Sequence, residues 1–444
     1  MQTDKTTLRD LSVFSGENSN DLFSLLDHTV SSVGREVLRK HMANPPDTYE
    51  MLIKTRDAIR FLAQNPSVWP TGILNGTIVM LERYFESAED QAIAPGGLTL
   101  LVQTWCQSFI KNKASSGYQF NLSHLADFFK GCTQLAAMAN MHDCPDLLKT
   151  QCNFIAQELN HKLIPAITGI TAKTPYSELV QLDHRIRREL KHVVHRLLHV
   201  YAYLDALHAM AVATNNKGWI FPALSPIEPV CMEVSGLWHP LLQNPVSYDI
   251  DLRRENNFLI LTGANMSGKT TFLRALGVSA YLAHLGMGVP AAAMEISYLG
   301  GVITNMHVED NILKGESYFF AEVLRMKMTA EKIGKEAPHL LLLDELFKGT
   351  NVHDAYECTL AVIEGLRNHN NHLIVLSTHL YEVARRFEDS GDIQFAYFIT
   401  QMDDDAGFNF TYHLAKGISN DRIGYRILQK EGVLNLLLRK KGDQ

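Results

Sequence analysis

A glycine-rich stretch near the middle of the chain has the residue types and spacing of a phosphate-binding loop. It matches the pattern G-x-x-x-x-G-K-[ST], between an apolar strand candidate and a helix-like run. Its residues are Gly263, Ala264, Asn265, Met266, Ser267, Gly268, Lys269 and Thr270, followed by Thr271. Glycines at both ends let backbone N–H groups point at phosphate oxygens, and the helix N-terminus adds a partial positive charge. We expect Lys269 to reach the β- and γ-phosphates and the Thr270 hydroxyl to ligate Mg²⁺.

Two acidic residues, Asp344 and Glu345, follow a run of four leucines. Such a run is typical of a strand that is buried on both faces, and open α/β sheets bind ligands at the carboxyl ends of their strands. We expect Asp344 to bind the metal ion through its water shell. Glu345 would then orient or deprotonate the water that attacks the γ-phosphate.

A third apolar run, HLIVLS, ends in Thr378 and His379. At that strand end the His379 imidazole would lie near the γ-phosphate. Together with Lys269 and Glu345 it completes the predicted catalytic set. The reaction class is ATP hydrolysis with Mg²⁺, driven by positioning and electrostatics without a covalent intermediate.

The elements that must position these residues change in character along the chain. Helical spacing of apolar residues dominates the first half, most clearly from His184 to His208. Strand candidates alternate with helical stretches in the second half, which is typical of a parallel sheet covered by helices. They are Val230–Val234, Phe258–Leu261, Leu340–Leu343, Leu373–Leu376 and Ile393–Phe398. We predict a multi-domain fold, with an all-α domain over residues 1–227 and an α/β P-loop domain over residues 228–444.

These motifs together resemble the ATPase domain of the MutS mismatch-repair family, a branch of the ABC-type ATPases. The stretch TGANMSGKTTFLRALG is similar to the family's TGPNMxGKSTxLRxxG, in which the counterpart of Asn265 lies against the terminal phosphate. LLLLDELFKGTN resembles LLDExGxGT, LSTHLYEVA resembles ATHYxEL, and residues 315–322, GESYFFAE, resemble STFMxEM. The resemblance implies that Ser317 completes the ATP site of the opposite subunit, and hence a homodimer.

The likeness continues outside the ATPase motifs. Residues 7–11, TLRDL, and the segments after them resemble the start of the MutS core domain, and Trp238-His239-Pro240 resembles the motif that opens the ATPase half. The resemblance implies a helical core or lever domain over 1–227. It also implies an ABC-type domain over 228–444 that ends in a helical dimerisation segment.

The chain also departs from the family pattern. Because the core pattern begins at residue 7, we expect a short form without the mismatch-recognition and connector domains. Tyr248 stands in PVSYDIDL where the family has Asn in VPNDIxL, and its ring would stack on the adenine. The resemblance implies a dimer that handles structured or mismatched DNA in repair or recombination, although direct mismatch reading is doubtful.

Two other functions stay open at this point. One is a DNA-independent regulatory ATPase that acts on a protein partner, and the other is the ATPase subunit of a membrane transporter. The most basic helical stretch, between His184 and His199, would either line a channel for duplex phosphates or form an ion-paired, solvated face, which we favour. The spacing of His192, His195 and His199 would also suit a metal, but no cysteine or Glu-x-x-His partner supports one.

Composition bounds these hypotheses. The chain has 444 residues, 46% of them hydrophobic and 20% charged, with a formal net charge of −7. These fractions are those of an ordinary globular protein, and the acidic balance gives no support for non-specific DNA binding. The six cysteines are scattered without CxxC spacing, and the N-terminus lacks the pattern of a secretory signal. We therefore expect a cytoplasmic protein with reduced thiols.

Overall fold

The computed structural model describes residues 1–419 and 433, apart from residues 2, 15–19, 87–112, 172, 307–317, 335–336 and 404–406. The chain forms two compact units. The α/β unit comprises Met1–Leu25, Ala43–Ile53 and Asn216–Gln444, and the helical unit comprises Leu26–Met42 and Lys54–Asn215. In the part that the structure describes, no helix is long and apolar enough to cross a membrane.

Helices make up the described structure up to residue 216. They are α1 (Lys5–Asp10), α2 (Leu22–Leu26), α3 (Ser32–Ala43), α4 (Tyr49–Gln64), α5 (Asn75–Glu86), α6 (Lys113–Ala137), α7 (Asp146–Leu159), α8 (Ile164–Thr168), α9 (Tyr176–Glu189) and α10 (Lys191–Asn216). In the helical unit, buried Asp205 of α10 accepts hydrogen bonds from the backbone N–H groups of Val30 and Ser31, both at 2.9 Å. These contacts satisfy donors just ahead of α3, where a helix leaves its first N–H groups without internal partners.

The predicted continuous stripe from His184 to His208 is interrupted. Helix α9 ends at Glu189, and α10 starts at Lys191, with Leu190 between them. Neither proline nor glycine stands at this break. Apolar spacing alone therefore could not locate it, because the buried side continues across the break with Ile186, Leu190 and Val194.

The main sheet of the α/β unit has the strand order β10-β9-β4-β8-β7-β6. Its strands are β4 (Phe258–Thr262), β6 (Gly301–Asn305), β7 (His339–Asp344), β8 (Leu373–Thr378), β9 (Ile393–Asp403) and β10 (Gly407–Lys416). All neighbours are parallel except β9 and β10, which are antiparallel. Every residue of β4, β7 and β8 is buried, which explains their continuous apolar sequences. The mixture of helices with α/β sheets agrees with the predicted fold class.

A second sheet has the order β1-β5-β2-β3. Its strands are β1 (Ala223–Ser225), β2 (Cys231–Leu237), β3 (Tyr248–Arg253) and β5 (Ala293–Ser297). The predicted strand Val230–Val234 overlaps β2, which lies in this sheet between antiparallel neighbours rather than in the parallel one. Strand β3 alternates buried and exposed residues, with Tyr248 buried at its start. The remaining helices of the α/β unit are α11 (Lys269–His284), α12 (Tyr318–Ile333), α13 (Val352–Leu366) and α14 (Tyr381–Arg386).

Helix α1 belongs to the α/β unit, although it lies within the residues 1–227 that the sequence assigns to a helical domain. The Thr304 hydroxyl on β6 donates a 2.7 Å hydrogen bond to Asp10 at the end of α1. The Arg325 guanidinium on α12 lies 2.8 Å from the carboxylate of Asp4, which caps the start of α1. Since both contacts join segments some 300 residues apart in the chain, sequence spacing could not reveal them.

Candidate nucleotide-binding site

The glycine-rich loop joins the end of β4 to the start of α11. Left-handed backbone angles occur at Gly263 (φ 151°), Met266 (φ 71°) and Gly268 (φ 108°). Glycine adopts such angles without the steric cost that a side chain imposes, so the two glycines suit the turns that curl the loop. Between them, Met266 is exposed, whereas Ser267 is buried.

Lys269 and Thr270, the first residues of α11, point to different partners. The Lys269 ammonium is buried, donates to the carbonyls of Gly263 and Ala264 at 2.8 and 2.9 Å, and lies 3.1 Å from Glu345 Oε1. The Thr270 hydroxyl donates to Asp344 Oδ2 at 2.7 Å. The structure thus brings together residues that the sequence placed on separate motifs.

Asp344 ends the buried strand β7 and is itself buried. Its second carboxylate oxygen, Oδ1, accepts a hydrogen bond from the Ser377 hydroxyl on the neighbouring strand β8. Hydroxyl and carboxylate oxygens are the donors that Mg²⁺ prefers. Thr270 and Asp344 therefore fit a magnesium site, held in place from behind by Ser377, a residue that the sequence analysis did not single out.

Glu345 follows β7 in a left-handed conformation (φ 51°). Its backbone N–H donates to the Ser377 carbonyl at 3.0 Å. Its Oε2 lies 3.2 Å from the Lys348 ammonium and 3.5 Å from His379 Nδ1. Burial raises the pKa of this carboxyl, but His379 and the two lysines outweigh burial and hold the pKa well below its usual range. Glu345 is therefore an ionised carboxylate, and His379 lies beside it.

A cavity of about 490 Å³ opens above the loop. It is lined by Asn265, Met266, Gly268, Lys269, Thr270, Thr271, Glu345, Lys348 and Tyr412. A second cavity, of about 300 Å³, shares Gly268, Thr271 and Tyr412 and adds Tyr248 with residues of the 242–246 segment. Because they share these three lining residues, the two cavities are adjacent. Together they suit a ligand with a charged part and a planar part.

Two tyrosines line the smaller cavity: the predicted Tyr248, and Tyr412, which also lines the larger one. Tyr248 is buried, and its ring packs edge-on against Phe272 at 5.2 Å and Phe398 at 5.9 Å. Tyr412 is 42% exposed, has φ 56° and lies at an irregularity in the β9–β10 register. Tyr412 belongs to no sequence motif, and it lies at a register irregularity, so its place in the cavity lining could not be predicted from spacing.

Several predicted features lie outside the described residues. Ser317 and the C-terminal segment from residue 420, apart from Val433, are among them. The basic helical stretch is described, and three of its four arginines form ion pairs. Arg187 pairs with Asp183 at 2.9 Å, Arg185 with Glu189 at 3.2 Å, and Arg196 with Glu158 at 2.6 Å. Within the described ranges no group of three or more metal-binding side chains occurs, so His192, His195 and His199 do not form one.

Comparison with known proteins gives a consistent result. The family model described as MutS domain V matches residues 259–440. The DNA mismatch repair protein MutS of Halalkalibacterium halodurans is 24% identical over 58% of this chain and 31% of its own length. MSH3, a DNA mismatch repair protein of Arabidopsis thaliana, is 29% identical over 51% of this chain and 22% of its own length.

A longer alignment joins the chain to the DNA mismatch repair protein MutS of Anaplasma phagocytophilum, at 23% identity over 96% of this chain and 62% of that protein. The similarity therefore extends from the α/β unit into the helical unit. The chain spans less than two thirds of the length of these curated relatives.

Proposed function

Because the chain belongs to the MutS family, we propose that it is a Mg²⁺-dependent ATPase whose site is the cavity above the glycine-rich loop. The observation that carries the proposal is the 2.7 Å hydrogen bond between Thr270 and Asp344, beside the Lys269–Glu345 pair at 3.1 Å. Thr270 and Asp344 are suited to a metal ion, and Lys269 and Glu345 are suited to phosphate and water. All four residues lie where β4 and β7 end, at the edge where such sheets bind ligands.

Each residue has a distinct part in the proposed reaction. Backbone N–H groups of the loop from Gly263 to Gly268 cradle the phosphates, and Lys269 neutralises their charge. Thr270 and Asp344 would hold Mg²⁺, which when bound would stabilise the charge that develops on the phosphates. Glu345 accepts a proton from the attacking water, whose oxygen bonds to the γ-phosphorus as the bond to ADP breaks. His379 orients Glu345, since its ring lies beside that carboxylate rather than in the cavity lining.

The base of the nucleotide would occupy the smaller cavity. Tyr412 offers an exposed ring there, whereas Tyr248 supports the wall from within the Phe272 and Phe398 cluster. Aromatic rings bind bases of any sequence by stacking. We therefore propose Tyr412 as the principal stacking partner and give Tyr248 a supporting part.

We extend the proposal to a homodimer in which Ser317 of one subunit completes the site of the other. ATP binding and hydrolysis would open and close this dimer on structured or mismatched duplex DNA in repair or recombination, with the helical unit as a lever. The relatives are named DNA mismatch repair proteins, which supports this assignment.

The ATPase proposal is tested with the full chain and its Glu345→Gln variant. We expect hydrolysis to fall by about 100-fold or more, while ATP still binds and dimers accumulate in size-exclusion chromatography with ATP and Mg²⁺. Turnover near the wild-type rate in Glu345→Gln would show that another group accepts the proton. Ser317→Ala should also lose activity, and mixed dimers of the two variants should recover part of it because one of their sites is intact.

The DNA proposal needs a separate measurement, because three of the four arginines of the basic stretch are engaged in ion pairs. ATPase rates and binding are measured with duplex, mismatched and junction DNA across a salt series. We expect stimulation and an affinity that falls as salt rises. Hydrolysis that is indifferent to every DNA, without salt-dependent binding, would instead support a regulatory ATPase with a protein partner.

A further inference from the structure

A buried carboxylate, the last residue of the 315–322 sequence segment, supports the loop that follows Glu345. Glu322, on α12, is only 4% exposed. Its two oxygens accept hydrogen bonds from the backbone N–H groups of Lys348 and Gly349, both at 3.2 Å. Burial raises the pKa of this carboxyl, and the backbone donors partly oppose the effect. A carboxylate so placed is costly unless it is hydrogen-bonded, so its partners constrain it and it constrains them.

The loop held by Glu322 is the one that places Lys348 against Glu345. The Lys348 ammonium lies 3.2 Å from Glu345 Oε2, on the side opposite the Lys269 contact at Oε1. Phe347 is buried in a left-handed conformation (φ 61°) and packs on Phe319 of α12 at 5.9 Å. The backbone between Glu345 and Gly349 is therefore held by the packing of Phe347 and by the hydrogen bonds to Glu322.

Helix α12 is in turn fixed to the rest of the α/β unit. The Arg325 side chain donates to the Thr304 carbonyl on β6 at 2.6 Å and to Asp4 at 2.8 Å. Glu322 and Arg325 are one helical turn apart, so a shift of α12 moves the carboxylate that holds Lys348 and Gly349.

We propose that Glu322 is a positioning residue for ATP hydrolysis: by holding the backbone of Lys348 and Gly349, it sets the placement of Glu345 at the attacking water. The inference rests on the proposed ATPase function. It connects α12, which begins directly after Ser317, to the loop that follows the catalytic glutamate through the hydrogen bonds of one side chain.

The test compares Glu322→Gln with Glu331→Gln, an exposed position on the same helix. A glutamine amide presents an N–H₂ group to one of the two backbone donors, so one anchor is lost while side-chain size is kept. We expect kcat for ATP to fall by between about 10- and 100-fold, with a Kd for ATP that changes by less than about twofold. Amide exchange at Lys348 and Gly349 should accelerate in Glu322→Gln, and Glu331→Gln should match the wild type in all three measurements.

A folded Glu322→Gln protein with wild-type kcat, beside an inactive Glu345→Gln, overturns this inference and leaves the proposed function intact. An inactive wild type overturns the proposed function itself, whereas full activity in Glu345→Gln removes Glu345 as the proton acceptor and, with it, this inference. If Glu322→Gln does not fold, Glu322→Asp takes its place, because it keeps the charge and withdraws the carboxylate by one methylene group. The same split between kcat and Kd is expected, and wild-type kcat in Glu322→Asp would again contradict the inference.

Discussion

The Thr270 hydroxyl donates a 2.7 Å hydrogen bond to Asp344, a residue 74 positions further along the chain. The contact joins the first turn of α11 to the end of β7, and β8 separates β7 from β4 in the sheet. Because parallel strands end at one edge, the order of the strands brings the two oxygens together. Near the end of β8, the strand beside β7, the Ser377 hydroxyl donates to the other oxygen of Asp344.

Ser377→Ala should weaken Mg²⁺ binding by about 10-fold, since partners that orient a metal ligand contribute 10- to 100-fold to affinity. The Asp344 carboxylate loses its described donor on Oδ1 and is oriented less firmly, through the Thr270 hydrogen bond at Oδ2. The measurement is the Mg²⁺ dependence of ATP hydrolysis. Ser279→Ala is the matched control, because Ser279 is also buried in this unit and its hydroxyl has no partner in the described structure. Equal Mg²⁺ dependence in both variants would contradict the orienting part given to Ser377.

The residues that sequence alone identified are those whose partners follow from strand order. Asp344 and Glu345 lie at the end of one apolar run, and Lys269 and Thr270 follow another across the glycine-rich loop; such runs predict buried parallel strands. The loop conformation also follows from its glycines. This part of the site was predictable because a short motif and a strand end fix it together.

The rest depends on contacts between distant segments. Glu322 lies in the quoted 315–322 segment, but no spacing pattern encodes its hydrogen bonds to the loop after Glu345. The exposure of Tyr412 at a register irregularity is likewise not encoded by spacing. The placement of α1 against β6 depends on single side chains, Asp10 and Thr304. The break at Leu190 likewise occurs in a continuous apolar stripe, so periodicity predicts one helix where two occur.

Tyr412→Ala should raise the Kd for ATP by about 10-fold, because stacking on an aromatic ring contributes about 1–3 kcal/mol per base. Tyr412→Phe keeps the ring and should bind ATP like the wild type. Binding is followed with a fluorescent ATP analogue and checked by competition with inorganic triphosphate, which lacks a base and should bind all three proteins equally. Equal ATP affinity in the alanine variant would exclude stacking on Tyr412.

Phe347→Gly should destabilise the α/β unit despite relieving strain. The left-handed φ of 61° costs a non-glycine residue about 1–2 kcal/mol, and the family pattern quoted above has glycine at this position. Removing a buried phenylalanine side chain, however, costs about 3–5 kcal/mol, so the loss of packing on Phe319 exceeds the gain. A urea titration followed by circular dichroism measures the difference. A rise in stability would mean that strain, not packing, dominates at Phe347.

Asp205→Ala should lower the free energy of unfolding of the helical unit by about 3 kcal/mol, because two backbone N–H groups ahead of α3 lose their acceptor inside the protein. The Ser31 hydroxyl, 2.6 Å from the same carboxylate, loses its acceptor as well. Exposed Asp127, on α6, provides the control, and Asp127→Ala should change stability by less than about 0.5 kcal/mol. Amide exchange at Val30 and Ser31 locates the effect. Unchanged protection there in Asp205→Ala would contradict the assigned hydrogen bonds.

His372 should make the α/β unit less stable as pH falls below about 6.5. Burial, with the neighbouring charge of His339, lowers the pKa of His372 from 6.5 to about 4, and its Nδ1 accepts the His339 N–H at 3.0 Å. Protonation removes that acceptor. The folded state therefore resists the proton that the unfolded chain takes up, so stability declines from pH 6.5 to about 4, by at most about 1.4 kcal/mol per pH unit.

Urea titrations at pH 7.5, 6 and 5 compare the wild type with His372→Gln, which carries no charge at any of these values. The difference between the two should shift in favour of the variant as pH falls, whereas exposed His413→Gln should show no such trend. If the difference in free energy of unfolding between the wild type and His372→Gln stays constant across these pH values, His372 does not cause the loss of stability.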